Sequence, residues 1–597
     1  MGWQTATGSA NGASNMRYAS LWGTPEMWRI ETAVALIVLG GIVAGMIACG
    51  GRGGGGSAGG SGDEAAGAFI AKHVEKIRPL DKTVNLAWWQ ANLTGKAEDF
   101  QTKEQAENAL NAALADRAMF AELKAIRERG GIADPLRKRS IDVLYLSYLG
   151  KQLEPELLRA MTAKSNAVER TFNTYRAEVG DKRLTENDVR KILRESASSA
   201  EREATWKGSK GVGRQVDPEL KQLVKLRNEA AKKLGFRDYY VLSLYLNEQD
   251  EGALLALFAQ LDELTRQPFL DLKAGVDKAL AARLKLGVEQ LRPWHYHDPF
   301  FQEAPQVAKL NLDSLYKEQD ILQISRRYYA GVGLPIEDVL ERSDLYEKDG
   351  KSPHAFCTDI DREGDVRVLT NIRPTDYWMN TVLHELGHAV YSKNVDRQLP
   401  YQLRSEAHIL TTEGIAMMFG RVNKRAGWLQ TNLGLSPQRA ASVGAEARRA
   451  LRLESLIFSR WCQVMLHFER ALYANPDQDL SKAWWDLAEK YQGLRRPQDR
   501  AEPDYASKIH LVSAPVYYHN YMMGELFASQ LHHAMARALG VKDPASFAYD
   551  GRADAGQFLK DQVFGPGARL PWNELTKSAT GELLTASYYA QDFVKEN

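Results

Sequence analysis

A His-Glu-Leu-Gly-His pentapeptide at residues 384–388 places two imidazoles four positions apart with a carboxylate between them. Residues 377–391 around it contain no proline, so the segment is predicted to be helical. On a helix, residues i and i+4 share one face, and His384 and His388 can therefore bind one metal ion. Glu385 then lies beside the metal, where it can act as a general base on a bound water. This spacing predicts a zinc-dependent peptidase.

A catalytic zinc ion needs a third protein ligand and one position left open for water. Glu406 lies 18 residues after His388 and Glu413 lies 25 residues after it. Glu413 belongs to a helical pattern (410–419) in which it shares a face with apolar residues. A carboxylate in such surroundings needs a charge partner, which a metal supplies. Glu413 is therefore the favoured third ligand, and Glu406 is the alternative.

Charge and composition restrict the classes of partner. The 597 residues have a formal net charge of +1, with 26% charged and 44% hydrophobic residues. This balance argues against nucleic acid as a partner and indicates a globular protein with a large core. Among the three cysteines, Cys357 and Cys462 are expected to be buried thiols, although one bridge between them is possible.

The N-terminal region carries an apolar run at 32–48, preceded by Arg29 and ended by Cys49. The run is typical of the apolar region of a signal peptide, and residues 46–49 resemble a bacterial lipobox. We expect a signal sequence at 1–49 with Cys49 acylated, a glycine-rich tether at 50–63 and a zinc metallopeptidase domain at 64–597. This would anchor a lipoprotein in the cell envelope, facing the periplasm or the cell exterior. The alternative is an uncleaved signal anchor.

Helix-forming residues dominate the remainder, for example at 64–76 and 103–129. Glycine pairs and clusters at 130–131 and 208–213 predict breaks, and Asp217-Pro218 predicts the start of a helix. The best strand candidate is 366–370, just before the metal helix. The sequence therefore predicts a mainly α fold: one large helical peptidase domain with a deep central cleft and at most a small sheet near the zinc helix.

Several blocks of this chain resemble the peptidyl-dipeptidase A family, the angiotensin-converting-enzyme-like zinc metallopeptidases. The resemblance runs from about residue 68 to 531 and is densest between 352 and 521. The blocks that carry it, besides 384–388 and Glu413, are Asn85–Asn92, His354-Ala355, Lys508-Ile509-His510 and Tyr518-His519-Asn520-Tyr521.

The resemblance implies a role for each matching residue. His384, His388 and Glu413 would bind Zn2+, with Glu385 as the general base. Tyr521 would stabilise the oxyanion, and His510, with His354, would hold substrate carbonyl groups beside the Ala355 backbone. Lys508 and Tyr518 would bind the C-terminal carboxylate of the peptide.

Among the positions that depart from the family's pattern, three bear on the substrate carboxylate, chloride and zinc. Tyr296 is the closest match to a glutamine that also binds the substrate carboxylate, so this contact is expected to be altered. Asn520 replaces an arginine that helps to bind chloride, which argues against chloride activation. Met417 replaces an aspartate that supports a zinc-binding histidine, so either another carboxylate takes over that support or zinc binding is weaker.

The prediction is a monomeric, membrane-tethered zinc peptidase that removes dipeptides from the C-terminus of short peptides, without nucleic-acid partners. The first alternative is a zinc oligopeptidase or single-residue carboxypeptidase of the same fold. The second is a non-catalytic peptide-binding lipoprotein.

Overall fold

The computed structural model describes residues 60–305, 311–352 and 354–595, and it confirms a mainly α fold. Four of the described helices, the first, seventh, ninth and sixteenth, have 34–38 residues, and the others are shorter. The helices are α1 (Gly60–Thr94), α2 (Ala97–Leu114), α3 (Arg117–Arg129), α4 (Pro135–Leu149), α5 (Pro155–Thr174), α6 (Glu186–Glu195), α7 (Ser199–Lys233), α8 (Tyr239–Leu246), α9 (Glu251–Leu284), α10 (Asp313–Tyr316), α11 (Ile321–Gly331), α12 (Glu337–Arg342), α13 (Asp376–Lys393), α14 (Ile409–Gly420), α15 (Ala426–Leu433), α16 (Pro437–Ala474), α17 (Leu480–Gln492), α18 (His510–Ser513), α19 (His519–Ala538), α20 (Ala553–Leu559), α21 (Trp572–Thr580) and α22 (Ser587–Phe593).

The sheets of the described residues are two antiparallel hairpins. Strands β1 (Ala177–Val179) and β2 (Lys182–Leu184) form the first, and β3 (Phe356–Asp359) and β4 (Val366–Leu369) form the second. The predicted strand at 366–370 is confirmed as β4, in which Leu369 pairs with Phe356 and also bridges to Asp344. Trp88 and Trp89 of α1 pack on Phe356, which holds the second hairpin against the helical body.

The predicted break at 208–213 and the predicted helix start at Asp217-Pro218 are both wrong, because α7 runs through them. The glycines allow close packing of neighbouring segments. A Cβ atom at Gly208 would lie 2.8 Å from the Glu178 carbonyl oxygen, and one at Gly213 would lie 2.5 Å from that of Pro503. The Asp217 carboxylate accepts from Lys221 and from the Tyr505 hydroxyl instead of capping a helix. Tertiary packing outweighs the local signal here.

Three helices of the core, α13, α14 and α19, lie unusually close together at small residues. A Cβ atom at Gly387 of α13 would lie 2.8 Å from the Ala416 Cα of α14. Likewise, a Cβ atom at Gly414 of α14 would lie 2.9 Å from the carbonyl oxygen of Gly524 in α19. Thr375 caps α13 by accepting from the backbone N–H of Trp378. These contacts bring side chains from distant parts of the sequence to one place.

The proposed signal sequence, lipobox and acylation site Cys49 lie outside the described residues, and α1 already begins at Gly60. The last four residues of the expected tether are therefore helical, and Asp63 accepts from the backbone N–H groups of Ala133 and Asp134. Across the described ranges, no helix combines the length and apolar character needed to span a bilayer. Cys357 and Cys462 are unbridged, as expected, but only Cys462 is buried and Cys357 is half-buried.

Candidate active site

His384 and His388 lie on one face of α13, and Glu413 of α14 faces them across the Gly387–Ala416 contact. Their ligand atoms all lie within 4.8 Å of one another. The Nε2 atoms of His384 and His388 are 3.3 Å apart. The Glu413 Oε2 atom is 3.7 Å from the His384 Nε2 atom and 3.9 Å from the His388 Nε2 atom. With zinc–ligand bonds of about 2.0–2.1 Å, two ligands of a tetrahedral site are about 3.3 Å apart. The donor set and its spacing fit a catalytic zinc site.

The electrostatics of this cluster also favour a cation. Burial lowers the pKa of His384 to about 4, and burial together with His384 lowers that of His388 well below its ordinary value. Burial, with a contribution from Glu525, raises the pKa of Glu413 to about 8. Burial and the Glu413 carboxylate likewise raise the pKa of Glu385. A divalent cation among these groups offsets the cost of burying the carboxylates.

Glu385 lies beside the cluster with an unsatisfied oxygen. Its side chain is 5% exposed, and its Oε2 atom is buried without a hydrogen-bond partner among the described residues. A buried carboxylate oxygen of this kind is rare unless water, an ion or a substrate reaches it. The position is suited to a base that receives a proton from an attacking water.

The second candidate ligand, Glu406, contacts a different residue. Its carboxylate accepts from the Ser392 hydroxyl, one helical turn beyond His388, and it is not a member of the cluster that could hold a metal. The structure therefore brings Glu413, and not Glu406, to the two histidines. Helical periodicity favours Glu413 but leaves Glu406 as an alternative.

A hydroxyl group orients His388, one of the two histidines of the candidate metal site. The Nδ1 atom of His388 is 2.7 Å from the Thr412 hydroxyl oxygen, while Met417 is buried in the apolar core. At His388, the supporting group is therefore a hydroxyl and not a carboxylate. Thr412 precedes Glu413 directly, so one turn of α14 provides both a candidate ligand and the group that orients a second one.

Tyr521 lies on α19, one turn before the glycine that contacts α14. A Cβ atom at Gly524 would be 3.1 Å from the Glu413 Cβ, so Tyr521 shares the helix face nearest the metal cluster. Its side chain is 1% exposed, and burial with the Glu413 carboxylate raises the pKa of its hydroxyl well above the ordinary value. Its hydroxyl therefore stays protonated and can donate a hydrogen bond.

His510 has a buried and neutral imidazole. Burial and nearby Lys508 lower its pKa well below the ordinary value. Its ring centroid is 5.1 Å from that of Tyr518, and neither ring nitrogen has a partner among the described residues. A neutral imidazole keeps one N–H group, which can donate to a carbonyl oxygen.

A buried cation lies nearby at Lys508. Its Nζ atom donates to the Gln302 Oε1 atom at 2.7 Å and lies 5.3 Å from the centre of the Tyr518 ring. Burial, opposed by the carboxylates of Asp298 and Glu303, lowers its pKa to about 8. A carboxylate entering between these groups would find a cation and hydrogen-bond donors in dry surroundings.

Tyr296, the closest sequence match to the family's carboxylate-binding glutamine, has its hydroxyl engaged with other residues. The Tyr296 hydroxyl donates to Asp277 and accepts from Lys273, so it is occupied elsewhere. The amide beside Lys508 is instead that of Gln302. The Asp298 carboxylate holds the Gln302 turn by accepting its backbone N–H at 3.0 Å. In the sequence, the only signal for Gln302 is that its amide follows directly after Phe300 and Phe301.

His354 and Ala355 directly precede β3, and β3 pairs with β4 along one of its edges. The His354 backbone N–H is 3.3 Å from the Ser352 hydroxyl oxygen, and the Ser352 N–H donates to the Asn92 carbonyl of α1 at 2.8 Å. These bonds tie the loop to the tryptophan-bearing helix. Residues 357–359 of β3 line a cavity of about 470 Å³, which His388 and Glu413 also line. An extended peptide can pair with a strand at this position.

Comparison with known proteins gives consistent results. The family model described as angiotensin-converting enzyme, peptidase family M2, matches residues 61–284 and 294–588. The angiotensin-converting enzyme-like protein Ace3 of Mus musculus is 25% identical over 442 residues, which cover 66% of this chain and 57% of that protein. The angiotensin-converting enzyme of Rattus norvegicus is 25% identical over 445 residues, covering 68% of this chain and 33% of that protein.

Coverage of these relatives is partial. The chain spans a little over half of the Mus musculus protein and about a third of the Rattus norvegicus enzyme. The angiotensin-converting enzyme of Theromyzon tessulatum is 21% identical over 508 residues, which cover 78% of this chain and 81% of that protein.

Proposed function

The chain belongs to the angiotensin-converting enzyme family of peptidases, and we propose that it is a zinc-dependent peptidase that removes dipeptides from the C-terminus of short peptides. The observation that carries the proposal is the cluster of His384, His388 and Glu413, with the unsatisfied Glu385 carboxylate beside it. In support, the Gln302 amide accepts from the buried Lys508 cation, which lies beside the Tyr518 ring. We propose that it acts as a monomer.

In the proposed mechanism, His384, His388 and Glu413 hold the metal. Bound Zn2+ would supply a water of lowered pKa and would polarise the scissile carbonyl. Glu385 accepts the proton of the attacking water at its carboxylate and later passes it to the leaving amine. The buried position of Glu385 excludes competing bulk water from this proton transfer.

Two further groups stabilise the charge that develops on the substrate. The Tyr521 hydroxyl donates to the carbonyl oxygen on which negative charge forms. The neutral imidazole of His510, with His354, donates to substrate carbonyl oxygens and holds the peptide against the Ala355 backbone. Donors that are held in place before the reaction cost little reorganisation when the charge appears.

Lys508, Gln302 and Tyr518 would bind the free C-terminal carboxylate and so set the length of the product. Lys508 supplies the positive charge, and the amide of Gln302 and the hydroxyl of Tyr518 supply hydrogen bonds. An oligopeptidase would cut internal bonds whether or not a carboxylate occupies this place. A non-catalytic binding protein would have no use for a base at Glu385.

The test is digestion of one free-acid peptide and its C-terminal amide by the zinc-loaded chain, with products identified by mass spectrometry. We expect sequential loss of dipeptides and a kcat/KM about 10–100-fold lower for the amide, which lacks the charge that Lys508 binds. Lys508→Met should remove the difference, whereas the exposed control Lys482→Met should retain it. Equal cleavage of both peptides at internal bonds would indicate the oligopeptidase.

We also propose that Cys49 carries lipid and tethers the enzyme in the cell envelope. The proposal is supported by the apolar run at 32–48, its small residue before the cysteine and the glycines that follow. Intact-mass analysis of the membrane-extracted protein should find a chain that begins at acylated Cys49. A chain that retains residues 1–48 would instead indicate an uncleaved anchor.

A further inference from the structure

The segment from residue 508 to residue 521 carries four residues of the proposed mechanism. Lys508 and His510 lie at its start, and Tyr518 and Tyr521 lie at its end. Its α-helical structure is limited to the four residues of α18 and the first turn of α19. So short a helix is not stable by itself. Contacts with other elements therefore have to fix the backbone on which these four side chains depend.

Val516, between the two pairs of residues, has an unusual backbone conformation. Its φ angle is +54°, in the left-handed region that a β-branched residue rarely adopts. Its side chain is 3% exposed and lines the cavity that His388 and Glu413 also line. A strained conformation of this kind persists only where the surrounding structure enforces it. The direction in which the chain leaves Val516 determines where Tyr518 lies, two residues later.

The turn before Val516 is fixed by a buried cation of α7. Arg227 is 7% exposed and donates to the carbonyl oxygens of Leu511 at 3.2 Å and Val512 at 2.6 Å. It also donates to the Tyr473 hydroxyl of α16 at 3.0 Å. Charge-assisted bonds to the last carbonyl groups of a short helix hold its C-terminal end. The first part of the segment, with α18, is therefore anchored before the chain reaches Val516.

A buried carboxylate of α16 binds the backbone at Val516 itself. The Val516 N–H donates to the Glu469 Oε1 atom at 2.8 Å, and the Glu469 side chain is 2% exposed. Burial raises the pKa of Glu469 to about 8, although the Val516 N–H and the Arg227 guanidinium oppose the shift. A carboxyl group keeps an oxygen that accepts from an N–H in either protonation state. The bond therefore fixes the orientation of the Val516 amide.

Glu469 lies behind the segment and not in the substrate cavity. The described lining of the cavity includes Val516 and Tyr517 but not Glu469. Burying a carboxylate is costly, and Glu469 spends its hydrogen bond on a single backbone N–H. A carboxylate placed in this way can affect the reaction only through the residues whose backbone it holds. Those residues are the ones that follow Val516, because Arg227 already holds the ones before it.

We propose that Glu469 is a positioning residue, which holds Val516 in its left-handed conformation and thereby places the hydroxyl groups of Tyr518 and Tyr521. The proposal rests on the proposed peptidase function and adds to it a residue that does not touch substrate. Tyr518 would bind the C-terminal carboxylate and Tyr521 the developing oxyanion, so both need exact placement. A displacement of about 1 Å in such groups can lower the rate by about 100-fold.

The first test compares two substitutions of Glu469 that differ in the acceptor. Glu469→Met has a side chain of similar length that cannot accept the Val516 N–H, whereas Glu469→Gln retains a carbonyl oxygen that can. In the methionine variant, we expect kcat/KM for a free-acid peptide to fall about 10–100-fold, and the preference for the free acid over the C-terminal amide to fall with it. The glutamine variant should stay close to wild type. A methionine variant with wild-type kcat/KM, or a glutamine variant that is equally impaired, would overturn the proposal.

The second test asks whether Glu469 acts through Val516. Val516→Gly and Val516→Ala both remove the branched side chain, but only glycine adopts a positive φ without strain. The loss of kcat/KM caused by Glu469→Met should therefore be smaller with Val516→Gly than with Val516→Ala, by about 5-fold or more, the equivalent of the left-handed penalty of an L-residue. Equal losses in the two backgrounds would overturn the proposal.

Asp550→Leu controls for a general loss of stability. The Asp550 carboxylate accepts from the Asn432 side chain of α15 at 2.6 Å, and not from the 508–521 segment. Its substitution should lower the melting temperature, while zinc content and the preference for the free acid stay at wild-type values. If Asp550→Leu reduced the preference as Glu469→Met does, lost stability alone would explain the effect and the proposal would fail.

Hydrogen exchange followed by mass spectrometry tests the anchor without relying on activity. In Glu469→Met, the amides of residues 513–521 should exchange at least about 10-fold faster than in the wild type, while those of α15 should be unchanged. Unchanged exchange in the segment would overturn the proposal. If the wild-type chain cleaves neither peptide, the peptidase function fails, and exchange alone decides on the anchor.

The folding of the variants is itself informative. If Glu469→Met folds only together with Val516→Gly, the rescue supports the proposal, because glycine removes the strain that Glu469 holds. If Glu469→Met folds in neither background, although Val516→Gly alone does, Glu469 has a general structural role and the proposal fails.

Discussion

Glu385→Gln is expected to bind zinc at the wild-type ratio and to lower kcat by about 10²–10⁴-fold, the usual contribution of a general base. The amide keeps the shape of the side chain but cannot accept the proton of the attacking water at neutral pH. Zinc content by elemental mass spectrometry and single-turnover cleavage of a free-acid peptide would measure both effects. Circular dichroism should be unchanged, because the Glu385 Oε2 atom makes no hydrogen bond that the fold depends on.

The matched control is Glu525→Gln, which removes a second buried carboxylate of the same region. Glu525 pairs with Arg421 and contributes to the raised pKa of Glu413, but it lies outside the candidate metal cluster. Loss of that ion pair is expected to lower the free energy of unfolding more than it lowers kcat. A Glu385→Gln enzyme with wild-type turnover would refute the assignment of the base.

Glu413→Gln is expected to weaken zinc binding more than 100-fold, because losing an anionic ligand should exceed the 10–100-fold typical of losing a supporting group. The two histidines alone leave the ion with too few ligands and no compensating charge. Zinc stoichiometry after dialysis, followed by Kd from competition with a chelator, would measure the loss without relying on activity.

Glu406→Gln provides the matched control for this change. It removes the same charge from a residue that contacts Ser392 and not the metal cluster, so zinc stoichiometry and Kd should stay close to wild type. The opposite pattern, with zinc lost from Glu406→Gln and kept in Glu413→Gln, would exchange the roles of the two glutamates.

The sequence predicted what depends on local geometry. The spacing of His384 and His388 requires one helix face, and α13 provides it, since the i and i+4 relation is a property of any helix. The mainly α class followed in the same way from residue propensities, and β4 from its β-branched run. The break at 208–213 and the helix start at Pro218 were wrong because long-range packing of α7 outweighs local preference.

Features of the site that depend on contacts between distant segments could be identified only from the tertiary structure. Glu413, and not Glu406, reaches the two histidines because α14 packs closely on α13 at Gly387 and Ala416. Sequence periodicity contains no information about this packing distance. The support of His388 by Thr412 and the replacement of Tyr296 by Gln302 beside Lys508 depend on the same kind of contact.

The sequence by itself therefore determined the chemistry of the His-Glu-Leu-Gly-His motif, because a helix places those residues together whatever surrounds them. Only the tertiary structure decided which glutamate completes the cluster and which amide faces Lys508. Each of these depends on how closely two elements pack, and that distance is set by the whole core.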